Sequence, residues 1–404
     1  MNQTAVACDV AVGLPASYAA QVTRTRAAIS AGFFLQGFVF AAIVTQTPRQ
    51  QDRFGFDEGL VTVILVLVAV VSGVGSVLAG VVAERRDSAV AFRLALGTIA
   101  LGAAVIGLAP SMAVLYLGFV VYGLGLGGVD ATMNMQGVRV QAAYGRSLMT
   151  GLHGMWSVGG IVGAGYASLA AALDVPLAAN LPVVGVVVLA VVAVSGPHFI
   201  RSQEHDPGLS AQGLQLPWRP VLVFGLVILL FYAADTGSLT WSSVYLEDAL
   251  DASTTVAPLA YAAYQVGALV SRFSGDHLVQ RLGLVRVVVG GTAVGTLGYL
   301  AVVLAQDPAV AIAAFFLAAL GTAVLAPLAF AALAASVPAP SLDVAIARMN
   351  IANYVGAILG GGVIGAVAEG GALRWAFLVP LVLVPFVLVS ARAFGRVGTP
   401  ASGP

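Results

Sequence analysis

The apolar character of this chain is interrupted at length by the stretch His198-Phe-Ile-Arg-Ser-Gln-Glu-His-Asp-Pro-Gly-Leu-Ser-Ala-Gln-Gly-Leu-Gln-Leu-Pro217, which is polar and rich in turn-forming residues. Glycine, proline and short polar side chains in such a cluster mark a loop. On both sides of it the sequence returns to long apolar segments. The stretch therefore predicts a linker, 198–217, between two halves of the molecule.

The composition of the two halves is that of a membrane protein. Of the 404 residues, 59% are hydrophobic and 9% are charged, whereas soluble domains carry roughly 25% charged residues. Apolar runs of about 20 residues, the length that crosses a hydrocarbon core of about 30 Å, recur along the chain. These runs are continuous and do not alternate with polar residues, which favours helices over the strands of a barrel.

We predict an all-α membrane protein with transmembrane helices over residues 25–46, 59–82, 91–109, 113–136, 147–172, 177–197, 218–241, 255–276, 284–305, 308–336, 344–368 and 373–394. The domains that follow are a cytoplasmic tail, 1–24, a six-helix bundle, 25–197, the cytoplasmic linker, a second six-helix bundle, 218–394, and a cytoplasmic tail, 395–404. Paired repeats of this kind are typical of secondary transporters, which hold substrate between the halves near the bilayer midplane.

The basic residues indicate the orientation. All 18 are arginines, and with a cytoplasmic N-terminus all except Arg49, Arg53 and Arg374 lie inside or close to the cytoplasmic side. This distribution obeys the positive-inside rule, and an even number of helices then places both termini in the cytoplasm. The first 24 residues do not have the apolar core and cleavage site of a signal peptide. We expect a multi-pass protein of a bacterial inner membrane.

An acidic residue lies inside the fourth segment, in the run Gly123-Leu-Gly-Leu-Gly-Gly-Val-Asp130-Ala-Thr-Met-Asn134. An Asp near a helix centre in lipid costs about 2.5 to 3.5 kcal/mol, so such residues usually face a water-filled cavity and mark a substrate or proton path. Counting from the loop that joins the fourth and fifth segments places Asp130 and His153 both about 9 Å into the membrane. We expect the two to share a proton, with a structural hydrogen bond between helices as the alternative.

Polar and aromatic side chains recur at helical spacing in other segments. Asn350, Asn353 and Tyr354, for example, share one helix face, and amides offer donors and acceptors to a hydroxyl-bearing solute. Trp156, three residues after His153, offers a plane on which a sugar ring stacks. Packing and interhelical hydrogen bonding are the alternatives. The candidate substrate-binding residues are Gln36, Asn134, Trp156, Trp241, Tyr261, Tyr264, Gln265, Asn350, Asn353 and Tyr354.

A second acid, Asp235, lies in the seventh segment. Our boundaries place it in the outer half of that segment, remote from Asp130. Three interpretations stay open at this point: a second protonation site, an outer gate, or a charge near the outer interface. The candidate proton-coupling residues are therefore Asp130, His153 and Asp235.

Glycines echo between the halves. The fifth segment carries Gly159, Gly160, Gly163 and Gly165, and the eleventh carries Gly356, Gly360, Gly361, Gly362 and Gly365. Small residues at three- and four-residue spacing allow close helix packing in membranes. We interpret these glycines as packing residues first.

Two loop sequences resemble a family motif. Gly80-Val-Val-Ala-Glu84-Arg85-Arg86-Asp87 follows the second segment, and Gly275-Asp276-His-Leu-Val-Gln280-Arg281-Leu-Gly283-Leu-Val-Arg286 follows the eighth. Both resemble the cytoplasmic loop motif of the major facilitator superfamily. The resemblance implies a charge clasp that holds one side closed, with Glu84, Arg85, Asp276 and Arg281 as cytoplasmic gate residues. Positive-inside anchoring is the alternative.

The fourth segment resembles a narrower group. Its run Gly-Leu-Gly-Gly-Val-Asp130-Ala-Thr-Met-Asn134 is similar to a segment of fucose-permease-like sugar/proton symporters, and the sequence after it is similar to a poorly characterised bacterial branch of the superfamily. The resemblance implies that Asp130 couples proton movement to transport. Fucose permeases carry a second acid in the first helix, where this chain offers Gln36.

We therefore expect a proton-coupled secondary transporter of a small polar, sugar-like solute that works by alternating access. A drug/proton antiporter is the alternative, since Gly151, Gly160 and Gly163 partly match the glycine motif of that group. A membrane enzyme is more remote, because the chain has no phosphate loop, no zinc-binding His-Glu-x-x-His and no nucleophile elbow. A channel is also more remote, because channels more usually show rings from an oligomer than two six-helix halves. We expect no enzymatic activity.

The expected partners are the solute, protons and the lipid bilayer. No basic patch suits a nucleic acid, and we expect a monomer with no cofactor and no metal. Cys8 is the one cysteine, which rules out a disulfide within the chain.

Overall fold

The computed structural model describes residues 16–56, 58–201, 217–253, 256–368 and 373–396. Within these ranges the chain is helical and forms no strand, as the sequence predicts. Cys8, most of the predicted linker and the end of the predicted C-terminal tail lie outside the described residues. The first helix begins at Ala16, nine residues before the predicted start of the first segment, so residues 16–24 of the predicted N-terminal tail are helical.

Twelve helical units, α1 to α12, follow one another along the chain. Their bounds are α1 Ala16–Val44, α2 Glu58–Arg85, α3 Ser88–Leu108, α4 Met112–Tyr144, α5 Met149–Ala172, α6 Leu177–Ser195, α7 Trp218–Leu250, α8 Pro258–Leu282, α9 Leu284–Leu304, α10 Pro308–Thr322 continued by Leu325–Ala334, α11 Leu342–Ala368, and α12, made of Leu373–Ala376, Leu378–Leu383, the 3₁₀ stretch Val384–Ser390 and Ala391–Arg396. A short helix, Thr47–Phe54, connects α1 to α2.

Eleven helices in the described part of the chain are long and apolar enough to cross a membrane. The eighth predicted segment forms α8, whose 25 residues span about 37 Å, but it is more polar than the others. Arg272, Asp276 and Arg281 lie in its second half. This polarity has a structural explanation, since two of these three side chains bond to the other half of the molecule.

Helix α4 is longer than the sequence predicts. It continues past residue 136 to Tyr144 and ends at Gly145, whose φ of 71° lies in the left-handed region that glycine adopts without strain. The polar residues in this extension are satisfied within the protein. The side chain of Gln136 bonds the Ser88 hydroxyl and the backbone of Ile200, at 2.8 to 2.9 Å. A polar helix end can therefore be buried here.

The glycine echo corresponds to a repeated packing arrangement. On α5 and on α11, two glycines four residues apart lie against backbone carbonyl oxygens of the helix that begins the same half, α1 or α7. The contacts are Gly159 on Phe34, Gly163 on Phe38, Gly356 on Leu229 and Gly360 on Ala233. A Cβ at any of them would collide with backbone, so both halves use glycine for the same close helix pair.

The two halves meet near one end of the bundle. We call the end that holds residues 201 and 217 the linker side and the opposite end the far side. Helices α2 and α11 pack together across the halves, as do α5 and α8. The hydrogen bonds that join these pairs lie in the part of each helix nearer the linker side, at Ser76 with Ala347 and at Asp276 with the start of α5. The linker side is therefore closed in this structure.

Candidate functional site

Asp130 lies in the middle of α4 and joins the two halves. Its Oδ1 accepts a hydrogen bond of 2.9 Å from Gln36 Nε2 on α1. Its Oδ2 accepts a short hydrogen bond from the hydroxyl of Tyr354 on α11, in the other half. Only 7% of the Asp130 side chain is exposed. The carboxylate is therefore a buried acceptor shared between one half and the other.

The neighbours of Asp130 extend this arrangement into both halves. Asn350, one turn before Tyr354, donates at 3.4 Å to the Tyr354 oxygen and to the Ser76 hydroxyl on α2. Asn134 donates at 2.8 Å to the backbone oxygen of Asp130. The structure thus brings together five of the predicted site residues: Asp130, Gln36, Asn134, Asn350 and Tyr354.

Two amide oxygens beside this carboxylate have no hydrogen-bond partner among the described residues. They are Gln36 Oε1 and Asn134 Oδ1, and both are buried. Their orientation is fixed, because the amide nitrogen of each residue donates to an oxygen of Asp130. Buried polar atoms are almost always bonded, so these two acceptors suit a ligand that brings hydroxyl or amine donors.

The expected pairing of Asp130 with His153 is not what the structure shows. Since α4 continues to Tyr144, Asp130 lies 14 residues, about 21 Å, from the linker-side end of its helix. His153 lies only four residues from the start of α5. Because Gly137 of α4 packs against Met149 at the start of α5, His153 lies about one turn nearer the linker side than Asp130, and Asp130 bonds to Gln36 and Tyr354 instead.

His153 has an environment of its own. Its Nδ1 bonds the backbone oxygen of Met149 at 3.0 Å, and its Nε2 is buried without a partner in the described residues. The ring lies between Phe33 of α1 and Phe330 of α10, with centroid distances of 5.1 and 6.3 Å. Phe33 precedes Gln36 by three residues, so His153 lies about one turn nearer the linker side than Asp130.

Arg272 of α8 is a buried cation that the sequence analysis did not select. Its Nη1 donates at 2.5 Å to the Ser157 hydroxyl on α5, and its guanidinium lies 5.6 Å from the ring centroid of Trp156. Trp156 is half-buried and also contacts Phe40. Arg272 could have been found from the sequence, because it lies one helical turn before Asp276 of the second loop motif and therefore on the same helix face.

Asp235 lies near the middle of α7, one residue past its midpoint. It follows Trp218, the first residue of the helix, by 17 residues and precedes Leu250, the last, by 15. The side chain is 8% exposed and accepts a 3.0 Å hydrogen bond from Tyr264 of the same half. Asp235 is therefore buried at about the depth of Asp130, since the two lie 17 and 14 residues from the linker-side ends of their helices.

The remaining binding candidates differ in exposure. Tyr261 is 42% exposed, and it lies on the face of α8 that carries Arg272 and Asp276. Gln265, on the same face, is half-buried, and Trp241 donates at 3.1 Å to the backbone oxygen of Gly361. Asn353 is 9% exposed. Tyr261 and Trp241 lie nearer the far side than Asp235, whereas Gln265 and Asn353 lie about level with the two buried acids.

The closure on the linker side uses different residues from most of those expected. Asp276 accepts hydrogen bonds from Ser147 Oγ at 2.6 Å and from the backbone N–H of Gly151 at 2.8 Å, and so caps the start of α5 from the other half. Glu84 is half-buried, and Arg85 and Arg281 are exposed. None of these three forms an ion pair in the part of the chain that the structure describes.

An ion pair also joins the halves on the linker side. Arg139 of α4 contacts Asp343, near the start of α11, at 2.8 Å, and both are largely buried. Its other guanidinium nitrogen donates at 2.7 Å to the Ser88 hydroxyl. We call Arg139, Asp343 and Asp276 the linker-side clasp. Arg139 was missed because it was read only as an anchoring charge.

Comparison with known proteins agrees with this architecture. The family model of the Major Facilitator Superfamily matches residues 12–164 and 223–404. An uncharacterised MFS-type transporter of Yersinia pestis is 29% identical over 366 residues, which are 90% of this chain and 94% of that protein.

Solved structures show the same fold. FucP in the outward conformation matches with a TM-score of 0.74 at 17% identity, over 91% of this chain and 97% of FucP, which is a fucose:proton symporter of E. coli. The proton:xylose symporter XylE matches with a TM-score of 0.71 at 12% identity, over 94% and 96% of the two chains. The family model covers well over half of the sequence. This multi-pass membrane protein therefore belongs to the Major Facilitator Superfamily of transporters.

Proposed function

We propose that this transporter couples the movement of a small polar, sugar-like solute to that of protons, by alternating access between its two halves. The observation that carries the proposal is the Asp130 carboxylate, which is buried at the centre of the bundle and bonded to Gln36 on one side and Tyr354 on the other. A titratable group that bridges the halves can respond to a proton and affect their contact at once.

The physical basis of the coupling is the difference between a charged and a neutral Asp130. Hydrogen bonds to a carboxylate are roughly twice as strong as those to a neutral group. While Asp130 is charged, Tyr354 is therefore held against α4. Protonation of Asp130 weakens the hydrogen bond from Tyr354 and so lowers the stability of the contact between α4 and α11. The linker side then opens at lower cost, which exposes the site to that side.

The orientation is part of the proposal. We place both termini in the cytoplasm of a bacterium and the protein in its inner membrane, which makes the linker side cytoplasmic. The arginine distribution supports this orientation. The closed linker side then corresponds to a state that receives solute from outside, and Tyr261 on the far-side part of α8 lines the entrance.

The solute contacts that we assign are polar and aromatic. Gln36 Oε1 and Asn134 Oδ1 offer buried acceptors, and Asn350 and Asn353 offer amides from the other half. Trp156 offers a ring face. Fucose and xylose, the solutes of the structural relatives FucP and XylE, are the first compounds to test.

The test separates proton-driven accumulation from exchange in proteoliposomes that contain the purified protein. With an imposed proton gradient, the wild type accumulates labelled L-fucose or D-xylose. Asp130→Asn loses accumulation but still exchanges internal for external solute, since exchange requires no net proton movement. Asp248→Asn, an exposed acid at the far end of α7, serves as the control and accumulates normally.

Two outcomes contradict the proposal. If Asp130→Asn accumulates solute as the wild type does, Asp130 is not the coupling residue. If the wild type moves neither sugar but exports a lipophilic cation against a proton gradient, the protein is a drug/proton antiporter.

A further inference from the structure

A second group of unsatisfied polar atoms lies beside the carboxylate site, around Arg272. The Arg272 side chain is 7% exposed. Its Nη1 is bonded to Ser157, its Nε is buried without a partner, and its Nη2 forms no hydrogen bond to a described residue. The edge of the guanidinium formed by Nε and Nη2 is therefore free of protein acceptors in the part of the chain that the structure describes.

This edge has a specific chemical preference. The Nε and Nη2 hydrogens of arginine point in parallel, which matches the two oxygens of a carboxylate. No carboxylate of the described residues forms an ion pair with Arg272, although the Asp235 charge acts on it from farther away. A buried guanidinium without a paired anion is costly, and the ring of Trp156 offsets only part of that cost.

The neighbouring free atoms complete a pattern. Gly37, the residue after Gln36, packs against the backbone of Trp156, and the Arg272 guanidinium lies over the Trp156 ring, so Trp156 neighbours both Arg272 and the segment of α1 that carries Gln36. Among the unsatisfied atoms, the one on Arg272 is a donor, and those on Gln36 and Asn134 are acceptors. A solute that satisfies both carries an anionic group at one end and hydroxyl groups at the other.

We propose that the transported solute is a hydroxylated carboxylate, such as a sugar acid, and that Arg272 is the residue that selects its charged group. This inference rests on the proposed function and makes its substrate class more specific. The carboxylate binds the Nε and Nη2 edge of Arg272, while Ser157 holds the guanidinium in place through Nη1. The hydroxyl groups donate to Gln36 Oε1 and Asn134 Oδ1, and the carbon skeleton lies against Trp156.

The test measures the binding of matched compounds to the purified protein by calorimetry. The pairs are D-glucuronate with D-glucose, D-galacturonate with D-galactose, D-xylonate with D-xylose, and glycerate with glycerol. The wild type should bind at least one acid more tightly than its neutral partner by about tenfold or more, the range of a charge-assisted hydrogen-bonded pair. Arg272→Gln should lose this preference.

Two further variants make the result specific. Arg219→Gln removes an exposed arginine at the start of α7 and should keep the full preference for the acid. Ser157→Ala keeps the charge but removes the bond that orients it, so the preference should fall without disappearing. Ser157→Ala also answers the question if Arg272→Gln does not fold.

The inference is overturned if the wild type binds none of the acids, if neutral partners bind as tightly, or if the acid preference is unchanged in Arg272→Gln or Ser157→Ala. These results are separate from the proposed function. Proton-driven accumulation of a neutral sugar that depends on Asp130 but not on Arg272 would leave the transporter proposal standing and remove only the anionic substrate.

Discussion

Two buried acids near the centre of the bundle, Asp130 and Asp235, one in each half, differ in what they contact. Asp130 accepts hydrogen bonds from Gln36 in its own half and from Tyr354 in the other. Asp235 accepts from Tyr264, which belongs to its own half. Both lie in the middle of a 33-residue helix and both are largely inaccessible. Burial alone therefore does not distinguish them, and only Asp130 is placed to sense whether the halves are in contact.

The same two halves agree closely in their scaffold. Each uses a pair of glycines on its fifth helix, α5 or α11, against the carbonyls of its first helix, α1 or α7. The two halves therefore share the packing of their first and fifth helices but differ in the polar partners of their buried acids. The difference in function between the halves therefore lies in side chains that do not take part in this shared helix packing.

The largest effect is expected from the shared scaffold. Gly360→Ala places a methyl group against the backbone oxygen of Ala233, and overpacking of this kind costs about 3 kcal/mol or prevents folding. Gly362→Ala, two residues away and with open space around it, should change stability by less than about 1 kcal/mol. Thermal unfolding in detergent measures both.

The N-terminal half offers the matching pair. Gly163→Ala meets the Phe38 carbonyl, while Gly165→Ala meets no neighbouring atom. If the two halves have one scaffold, Gly163→Ala should lose about as much stability as Gly360→Ala. Equal melting temperatures for Gly163→Ala and Gly165→Ala would show that the repeated glycine packing does not contribute to stability in this half.

The next effect concerns the linker-side clasp. Arg139→Gln removes the ion pair that joins α4 to Asp343 of α11 across the halves, which should destabilise the closed linker side by about 2 kcal/mol, roughly thirtyfold in population. The opening is measured with spin labels attached to cysteines introduced at Ala143 and Ala339, two exposed positions in opposite halves. The native cysteine is removed by Cys8→Ser, and a longer distance between the labels reports an open linker side.

A charge reversal checks that the ion pair is responsible. The double variant Arg139→Asp with Asp343→Arg should recover much of the short distance between the labels, since the pair is reformed in the opposite sense. An unchanged distance distribution in Arg139→Gln would mean that the clasp does not hold the halves together.

A smaller effect compares the two tyrosines that bond the acids. Tyr354→Phe removes the hydroxyl that reaches Asp130 from the other half. It should shift the equilibrium between closed and open forms, as reported by the same labels, by about 1 to 2 kcal/mol toward the open form. Tyr264→Phe removes the equivalent bond at Asp235 and should leave the distance unchanged, because that bond does not cross the halves. Equal shifts would erase the distinction between the two acids.

The sequence predicted best those features that depend on a local pattern within one segment. Apolar runs and the polar linker predict the twelve helices, and the glycine spacing predicts close packing. The residues around Asp130, namely Gln36, Asn134, Asn350 and Tyr354, were found because polar side chains are rare enough in lipid to stand out.

The rest depended on information that one segment does not contain. The depth of Asp130 was misjudged because the end of α4 is polar, and only the partners Ser88, Ile200 and Asp343 explain how it stays helical. Arg139 and Arg272 look like anchoring charges until the residues facing them are known. Asp343 pairs with a residue 204 positions away, a distance that no local pattern reports.

The central claim is that protonation of Asp130 releases the contact between the halves, and the label distance between Ala143 and Ala339 tests it without any substrate. In the wild type, lowering the pH should increase the population with an open linker side, because the neutral acid holds Tyr354 less strongly. Asp130→Asn should show a high open population that does not change with pH, while Asp235→Asn keeps the response of the wild type. A pH response in Asp130→Asn equal to that of the wild type would contradict the account.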